Sequence, residues 1–439
     1  MRRNDLEPPA RPAFTVSAAA SDSQLALIAR YASGRERMKL TWLLAALAML
    51  GPFSIDTYLP AFPTMEAALP ATEVQMQLTL TVYFIGFAIV SLFHGAISDS
   101  IGRKPVIIGT ICVHALASVG CALAASIESL LAFRALQGCF AGAGFVVGRA
   151  VVRDLFAGHE AQRQLSRISM LFALAPIVAP ILGGWLVAHL AWPAIFWFLG
   201  GYAVLLVVWS QLGLEESHPR ENRLPFALVP LAKMYGQMFF NKTFQSLAAI
   251  PGINFVGFFV YIAGAPAFLM RHLSLTTKDF ALLFVPGIAG ITLAAYCSGR
   301  MAGRVSHVRQ MNWGFSIMAL AALVNLLVSA FLPPSVVWNI APIALYTFGM
   351  ALVTPCITLK LLDAFPHARG SVSALQSSTH VAMMAVTTAI VVPFAQQSLL
   401  RFALVMLGSA ALGAAIWKFY QMSHPSQLAA DAEIPHEIL

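Results

Sequence analysis

Apolar stretches of about twenty residues recur along almost the whole chain of 439 residues and are separated by short polar gaps. A helix of about 20 apolar residues is long enough to cross the hydrocarbon core of a bilayer. Only 10% of the residues are charged, against about 25% in soluble domains. The pattern therefore predicts an all-α membrane protein with twelve transmembrane helices, at roughly residues 39–60, 76–98, 105–125, 129–153, 165–189, 192–213, 242–270, 278–300, 309–332, 336–362, 369–394 and 398–421.

The positive charges gather in alternate gaps between these predicted helices. If the N-terminus is cytosolic, most of the 27 Lys and Arg residues lie at cytosolic helix ends, as the positive-inside rule requires. We therefore predict a multi-pass protein of a bacterial inner membrane with both termini in the cytosol and lipids as its surroundings. The net charge of +8 would suggest a nucleic-acid partner in a soluble protein, but here the charges follow the membrane and no such partner is expected.

The longest polar interruption, residues 214–241, divides six predicted helices from six. It is predicted to be a cytosolic loop between two six-helix bundles, at 39–213 and 242–421. Residues 1–38 lack the apolar core and cleavage site of a secretory signal and are predicted to form a disordered cytosolic tail, with a second cytosolic tail at 422–439. We expect the chain to act as a monomer.

Several kinds of chemistry find no support in the sequence. The chain has no Gly-rich loop ending in Gly-Lys-Ser/Thr, so ATP-driven transport is not expected. The five cysteines lie in apolar stretches without a CxxC pair, and the histidines of the helices are too far apart in sequence to suggest a metal site. No metal, cofactor or enzymatic activity is therefore predicted.

Two ionisable side chains fall well inside predicted helices, where each charge costs on the order of 2.5 to 3.5 kcal/mol. Asp56 lies in the outer half of helix 1, and a carboxyl group in such low-dielectric surroundings can exchange protons near neutral pH. Arg134, at a similar depth in helix 4, keeps its charge and would supply a fixed positive field beside that acid. The alternative is structural: an acid hydrogen-bonded to a neighbouring helix, and an Arg in a purely structural pair.

The gap after helix 2 reads Gly95-x-x-x-Asp99-x-x-Gly102-Arg103-Lys104-Pro105. This motif resembles the loop signature of the major facilitator superfamily, whose members pair two pseudo-symmetric six-helix bundles around a substrate near the midplane. The resemblance implies that Asp99 faces the positive end of helix 11 near Gly370 and that Arg103 pairs with Asp154, which together latch the cytosolic side in the outward-open state. The alternative is a simple positive turn in which Gly102 allows a tight bend.

Helix 5 carries two prolines and two glycines, Pro176, Pro180, Gly183 and Gly184. The stretch from Ala175 to Gly184 resembles the Gly-Pro-x-x-Gly-Gly signature of proton-driven antiporters, with Ala179 in place of the first Gly. Such residues bend a helix and allow a second backbone to approach closely, as an interface that rocks between two halves requires. An ordinary Pro-kinked packing helix is the alternative.

A narrower resemblance is to the bicyclomycin and chloramphenicol/florfenicol resistance branch of the drug:proton antiporters. It is carried by Asp56 to Pro60, by Arg134 with Gln137 and Gly138, by the helix 5 motif, and by Phe258 to Tyr261 followed by Ala265-Pro266. The resemblance implies efflux of small, mostly uncharged or weakly charged antibiotics in exchange for protons. Aromatic faces with a few polar groups suit amphipathic ligands, so the candidate pocket residues are Tyr58, Tyr83, Phe84, Gln137, Asn254, Phe255, Phe258, Phe259 and Tyr261.

Each pocket candidate has the alternative of facing lipid or packing in a core. Two other functions also stay open, because a fold does not set its substrate. The chain can be a proton-coupled transporter of a metabolite, such as a sugar or an amino-acid derivative. It can also be a membrane sensor that binds a ligand without moving it, although a sensor needs neither a latch nor a titratable acid.

Overall fold

The computed structural model describes Leu27, Arg30, Tyr31 and residues 34–223, 225–301, 303–366 and 368–423. All regular secondary structure in this part of the chain is helical, and the two predicted tails lie largely outside it. Twelve of its helices, which we call spans 1 to 12, are long and apolar enough to cross a membrane: Gly34–Ala68, Glu73–Ile101, Arg103–Ala122, Ile127–Leu155, Gly158–His189, Pro193–Gly213, Lys242–Ala263, Ala281–Met301, His307–Phe331, Val336–Ala364, Arg369–Ala395 and Leu399–Ser423.

The spans pack as two related halves. In the first half span 2 packs on span 4 and span 3 packs on span 6, and in the second half span 8 packs on span 10 and span 9 packs on span 12. Each pair of the second half therefore repeats a pair six spans earlier. The prediction of twelve spans in two pseudo-symmetric bundles is confirmed.

The halves meet along two lines. Span 2 packs against span 11, and the second part of span 5, Ala175–His189, packs against span 8. Because successive spans run in opposite directions, the described ends of the chain and the connections after even-numbered spans share one face of the bundle. We call it the inner face, after the charge-based prediction, and the opposite one the outer face.

Several spans are interrupted, and the interruptions follow the sequence. In span 1 the α-helix Gly34–Asp56 is followed by a 3₁₀ turn, Leu59–Ala61, and a short helix, Phe62–Ala68. Proline removes a backbone donor and its ring clashes with the carbonyl four residues earlier, and for Pro60 that residue is Asp56. The prediction of one continuous helix over 39–60 was therefore wrong at its outer end.

Two further interruptions are π-helical. The segment Pro266–His272 extends span 7, and the segment Thr387–Val391 lies inside span 11. Such turns leave the regular hydrogen-bond ladder and are frequent at functional sites. Both belong to the second half and both lie near the outer face.

The connection between the halves is partly helical. Residues 214–241 were predicted as a loop, but they contain a 3₁₀ turn, Arg220–Asn222, and a twelve-residue α-helix, Leu228–Phe239, which we call the connecting helix. It ends at Phe239, two residues before Asn241, whose side chain accepts hydrogen bonds from the N–H groups of Thr243 and Phe244 in the first turn of span 7. The two halves are thus joined by an ordered element at the inner face.

Candidate functional site

Asp56 is the last residue of the long helix of span 1, which ends four residues before Pro60. It is 6% exposed, and burial is the only influence on its carboxyl group among the described residues, with no hydrogen bond or ion pair. A helix C-terminus carries unpaired carbonyl groups and a partial negative charge, so this position offers a carboxylate no compensation. The structure therefore places the predicted acid in the protein interior, without a permanent partner.

Arg134 is fully buried nearby and is held by neutral groups. Its Nη1 donates to the backbone carbonyl of Ser54 at 3.0 Å and to Oε1 of Gln137 at 2.5 Å. Its guanidinium carbon lies 4.6 Å from the ring centroid of Tyr58 and 4.4 Å from that of Tyr83. Cation–π contacts of this kind stabilise a desolvated cation. Arg134 forms no ion pair with an acid in the described part of the chain.

A polar network missed by the sequence analysis supports this arrangement. His114 Nε2 lies 3.2 Å from the Ser54 hydroxyl, and its Nδ1 lies 3.2 Å from the carbonyl of Gln137. Gln137 Nε2 donates to Ser118 Oγ at 2.8 Å. Spans 1, 3 and 4 are therefore tied together around the arginine. The only signal in the sequence is the presence of small polar residues in apolar helices, which does not identify partners.

The two glycines of span 5 join this region to the second half. A Cβ at Gly183 would collide with the backbone carbonyl of Thr57, the residue after Asp56. A Cβ at Gly184 would collide with the carbonyl of Thr277, which lies between spans 7 and 8. The close backbone approach predicted from the helix 5 motif is present on both sides of span 5. Pro176 is the second residue of the outer helix, Ala175–His189, and Pro180 lies within it.

Span 2 carries the remaining contacts between the halves. Gln77 Nε2 donates to the carbonyl of Ala263 at 3.1 Å, and the hydroxyl groups of Thr81 and Thr388 lie 2.9 Å apart. At the outer end Arg271 pairs with Glu73 at 2.5 Å. These contacts extend from the outer end of span 2 toward its middle, where Ser378 Oγ donates to the carbonyl of Ala88 at 2.6 Å. The halves are closed against each other on the outer side.

The turn after span 2 holds the charged residues of the predicted latch. Gly102 has a φ of 108°, which favours glycine, and the turn leads directly into span 3. Arg103 pairs with Asp99, and its Nε donates to Asp154 Oδ2 at 3.0 Å. The pair with Asp154 is the one that the resemblance implies. The side chain of Asp99 is 46% exposed, and a Cβ at Gly370 would meet no atom within 4 Å. The approach of Asp99 to the start of helix 11 therefore stays a prediction.

Residues of the connection between the halves also bind this turn, which the sequence analysis missed. Glu216 accepts from the backbone N–H groups of Arg103 at 2.9 Å and Lys104 at 3.2 Å, and so caps the start of span 3. Ser217 Oγ donates to Asp154 at 2.9 Å, and Lys104 Nζ donates to a carbonyl of span 6. More than a hundred residues separate Glu216 from the turn, so no local sequence pattern predicts this contact. Gly95 lies in the last part of span 2, with open space where a Cβ would be.

The candidate pocket residues fall into two groups. Phe84 of span 2 meets Phe259 of span 7 with ring centroids 5.5 Å apart, and Phe255 stacks on Phe259 at 5.6 Å. Phe258 lies beside Phe255, and His380 of span 11 adds a further ring 4.7 Å from Phe255. These side chains form an aromatic wall where the halves meet, and Phe255 and His380 are its half-exposed members.

The other candidates lie inside one half. Tyr58, Tyr83 and Gln137 surround Arg134. Tyr261 packs on Phe402 and accepts a hydrogen bond from Asn325 at 2.5 Å within the second half. The side chain of Asn254 points toward Gly413 of span 12, and its amide has no partner among the described residues.

Comparisons with known proteins agree with this architecture. A model of the Major Facilitator Superfamily matches residues 41–388. Relatives in sequence include an uncharacterised MFS-type transporter, YdgK, of Bacillus subtilis, 37% identical over 57% of this chain and 63% of that protein. Others are a bicyclomycin resistance protein homolog of Haemophilus influenzae, 32% identical over 55% and 61%, and the multidrug resistance protein MdtL of Salmonella typhi, 30% identical over 54% and 60%. The matched regions thus span about 60% of the length of these relatives.

Solved structures show the same fold at low sequence identity. A bacterial homolog of the human lysosomal transporter Spinster, in an inward-facing and occupied conformation, matches 92% of this chain and all of its own with a TM-score of 0.70 and 15% identity. The human organic anion transporter MFSD10 matches 88% of this chain and 99% of its own with a TM-score of 0.64 and 16% identity. The family match identifies a multi-pass membrane transporter rather than an enzyme, and the chain belongs to the major facilitator superfamily.

Proposed function

We propose that this transporter exports small amphipathic drugs in exchange for protons, and that Asp56 is the group that carries the proton. The observation behind the proposal is the isolation of Asp56, which is buried and has no hydrogen bond or ion pair among the described residues. The protonation state of such a carboxyl group depends on whether water or a ligand reaches it. An acid locked in an ion pair would lack this sensitivity.

The break in span 1 places Asp56 next to the backbone contacts that join the two halves. Thr57 follows Asp56 and touches Gly183, and the next residue of span 5, Gly184, touches Thr277 of the second half. A change of charge at Asp56 acts on a non-helical segment that is in direct backbone contact with the outer closure. We propose that this contact couples the protonation of Asp56 to the movement of the halves.

The proposed cycle has three steps. With the outer side closed and Asp56 deprotonated, drug enters between the halves from the inner face. After the halves rock and the outer side opens, a proton from outside binds Asp56 and the drug leaves. The outer side then closes again, and Asp56 releases its proton to the inner face, which restores the deprotonated acid. Each unit of pH difference supplies about 1.36 kcal/mol per proton, and each 100 mV about 2.3 kcal/mol per net charge moved. The gradient is sufficient for uphill export.

The aromatic wall supports a drug rather than a polar metabolite as substrate. Phe84, Phe255 and Phe259 offer large apolar faces at the junction of the halves, and His380 adds a polar edge. Such faces bind amphipathic molecules by area and by ring contact. The names of two relatives, a bicyclomycin resistance homolog and a multidrug resistance protein, point the same way.

Transport by Asp56→Asn tests the proposal. Purified wild-type protein and variant are placed in proteoliposomes with an imposed pH gradient, and the movement of radiolabelled chloramphenicol or bicyclomycin is measured. We expect the variant to remain folded and to lose export driven by the gradient, because Asn cannot release a proton. Asp363→Asn is the matched control, since Asp363 is an exposed acid whose side chain is 71% accessible. Equal rates for wild type and Asp56→Asn would eliminate the mechanism.

Two accompanying proposals concern the surroundings of the chain. We propose that it works as a monomer and that both termini lie in the cytosol. Labelling of single cysteines by a membrane-impermeant reagent in intact cells tests the orientation.

A panel of antibiotics in a pump-deleted strain separates drug export from metabolite transport, because a metabolite carrier leaves every inhibitory concentration unchanged. Counterflow of bound drug in vesicles excludes a sensor that moves nothing.

A further inference from the structure

The connecting helix lies at the inner boundary of the membrane. It follows the inner end of span 6, Gly213, and ends just before span 7 begins at Lys242. Because span 7 begins three residues after Phe239, the C-terminal end of the helix is held at the level where span 7 enters the membrane. Its side chains are therefore presented to protein, to lipid or to water.

One side of the helix packs on the transporter. Leu231, Met234, Tyr235 and Met238 are half-buried, at the spacing that places residues on one helical face. The Tyr235 hydroxyl donates to the carbonyl of Leu92 in span 2 at 3.1 Å, and the helix also packs against span 11. The connecting helix thus touches both halves along the line where spans 2 and 11 meet.

A second side is apolar and has nothing on it in the described part of the chain. Leu228 is 51% exposed and Phe239 is 45% exposed, and Ala232 is exposed between them. At about 100° per residue these three fall within about 40° of one another, next to the packed face. Lys233 and Gln237 are exposed on the remaining side, and Val229, 76% exposed, lies between Ala232 and Lys233 where the two flanks meet. A packed face, an apolar flank and a polar flank are the three sides of a helix that lies in a membrane interface.

The charges agree with a lipid surface. The stretch from residue 225 to 242 contains Lys233 and Lys242 and no acidic residue, and both lysines are exposed. Basic residues at this depth attract anionic headgroups. Phe240, the residue after the helix, is 76% exposed and extends the apolar surface toward span 7.

We propose that the connecting helix is a lipid-binding element: Leu228, Ala232 and Phe239 lie among the acyl chains, while Lys233 and Lys242 contact anionic headgroups. Through Tyr235 and its contact with Leu92, this binding steadies the junction of spans 2 and 11. The proposal does not depend on which substrate is moved.

Nitroxide labels on the full-length chain test the placement. The five native cysteines are replaced, a single label is attached through Phe239→Cys or Gln237→Cys, and the protein is reconstituted in phosphatidylcholine vesicles with or without phosphatidylglycerol. We expect the label at 239 to be reached by oxygen and shielded from a water-soluble nickel chelate, and the label at 237 to behave in the opposite way. Equal access of the chelate to both labels would overturn the proposal, as would protection of both by a soluble protein.

The headgroup contact has its own test. A bimane label at 237 is quenched by spin-labelled phosphatidylglycerol, and the lipid fraction that gives half-quenching is measured. Lys233→Gln should raise that fraction about fivefold, the equivalent of about 1 kcal/mol for one lysine near an anionic surface. Lys278→Gln, an exposed lysine on the outer face, is the control and should change nothing. An unchanged value for Lys233→Gln refutes the anionic-lipid contact.

Discussion

Adding one methyl group at Gly184 should shift the molecule from its outer-closed state toward an outer-open one. In the structure a Cβ at this position collides with the carbonyl oxygen of Thr277 in the other half. Relief by movement of that carbonyl is limited, because Asp279 accepts hydrogen bonds from the Thr276 N–H at 2.8 Å and hydroxyl at 2.6 Å. Overpacking of this kind costs about 1–3 kcal/mol. Since the contact exists only while the halves touch, the outer-closed population should fall by a factor of about 5 to 150.

The distance between the outer ends of the halves measures this shift. Spin labels at Leu190 and Lys278, two exposed positions on opposite halves, report it in double electron–electron resonance. We expect Gly184→Ala to add or enlarge a long-distance component. Gly201→Ala is the control, because a Cβ there meets no atom within 4 Å. Identical distance distributions for Gly184→Ala and Gly201→Ala would refute the proposal that span 5 forms part of the gate.

Three further predictions concern the surrounding charges. Arg134→Lys should lower the free energy of unfolding by about 1–2 kcal/mol, measured by thermal melting in detergent, because Lys cannot stack between two rings as a planar guanidinium does. Glu216→Gln should cost about 0.5–2 kcal/mol as a weakened cap, while melting of the exposed control Glu221→Gln stays unchanged. Hydrogen bonds from Thr276 hold the pKa of Asp279 below its usual range, so its stabilisation is present above the ordinary aspartate range and lost as pH falls through the lowered value. In an Asp56→Asn background, which removes the proposed coupling acid, outer-end distances should then be constant from about pH 5 to pH 8 and widen only in stronger acid, and adding Asp279→Asn should abolish that widening.

The spans and their grouping could be predicted from the sequence because they depend on local properties. Apolar length and the distribution of Lys and Arg identify twelve crossings without knowledge of any partner. The end of the helix at Asp56 was missed even though Pro60 is visible in the sequence. A proline does not say whether the chain stops, kinks or resumes as a helix, and here it resumes at Phe62.

Contacts across the fold were beyond prediction for a different reason. The sequence marks Arg134 as an expensive charge, but its stabilisation by Tyr58 and Tyr83 depends on how spans 1, 2 and 4 cross. The cap by Glu216 likewise depends on where the connection after span 6 returns. The connecting helix was not predicted because Pro225 and Pro230 are typical of loops. Its apolar and polar sides are nevertheless visible in the sequence between Leu228 and Phe239.

Proton release on drug binding tests the role of Asp56 most directly. Chloramphenicol is added to the purified protein in weakly buffered detergent solution with a pH indicator, near the pH at which half the wild-type molecules are protonated. If drug and proton compete for the site, wild type releases protons as it binds drug, and Asp56→Asn binds drug with no release. The same release from the variant as from wild type would show that another group carries the proton.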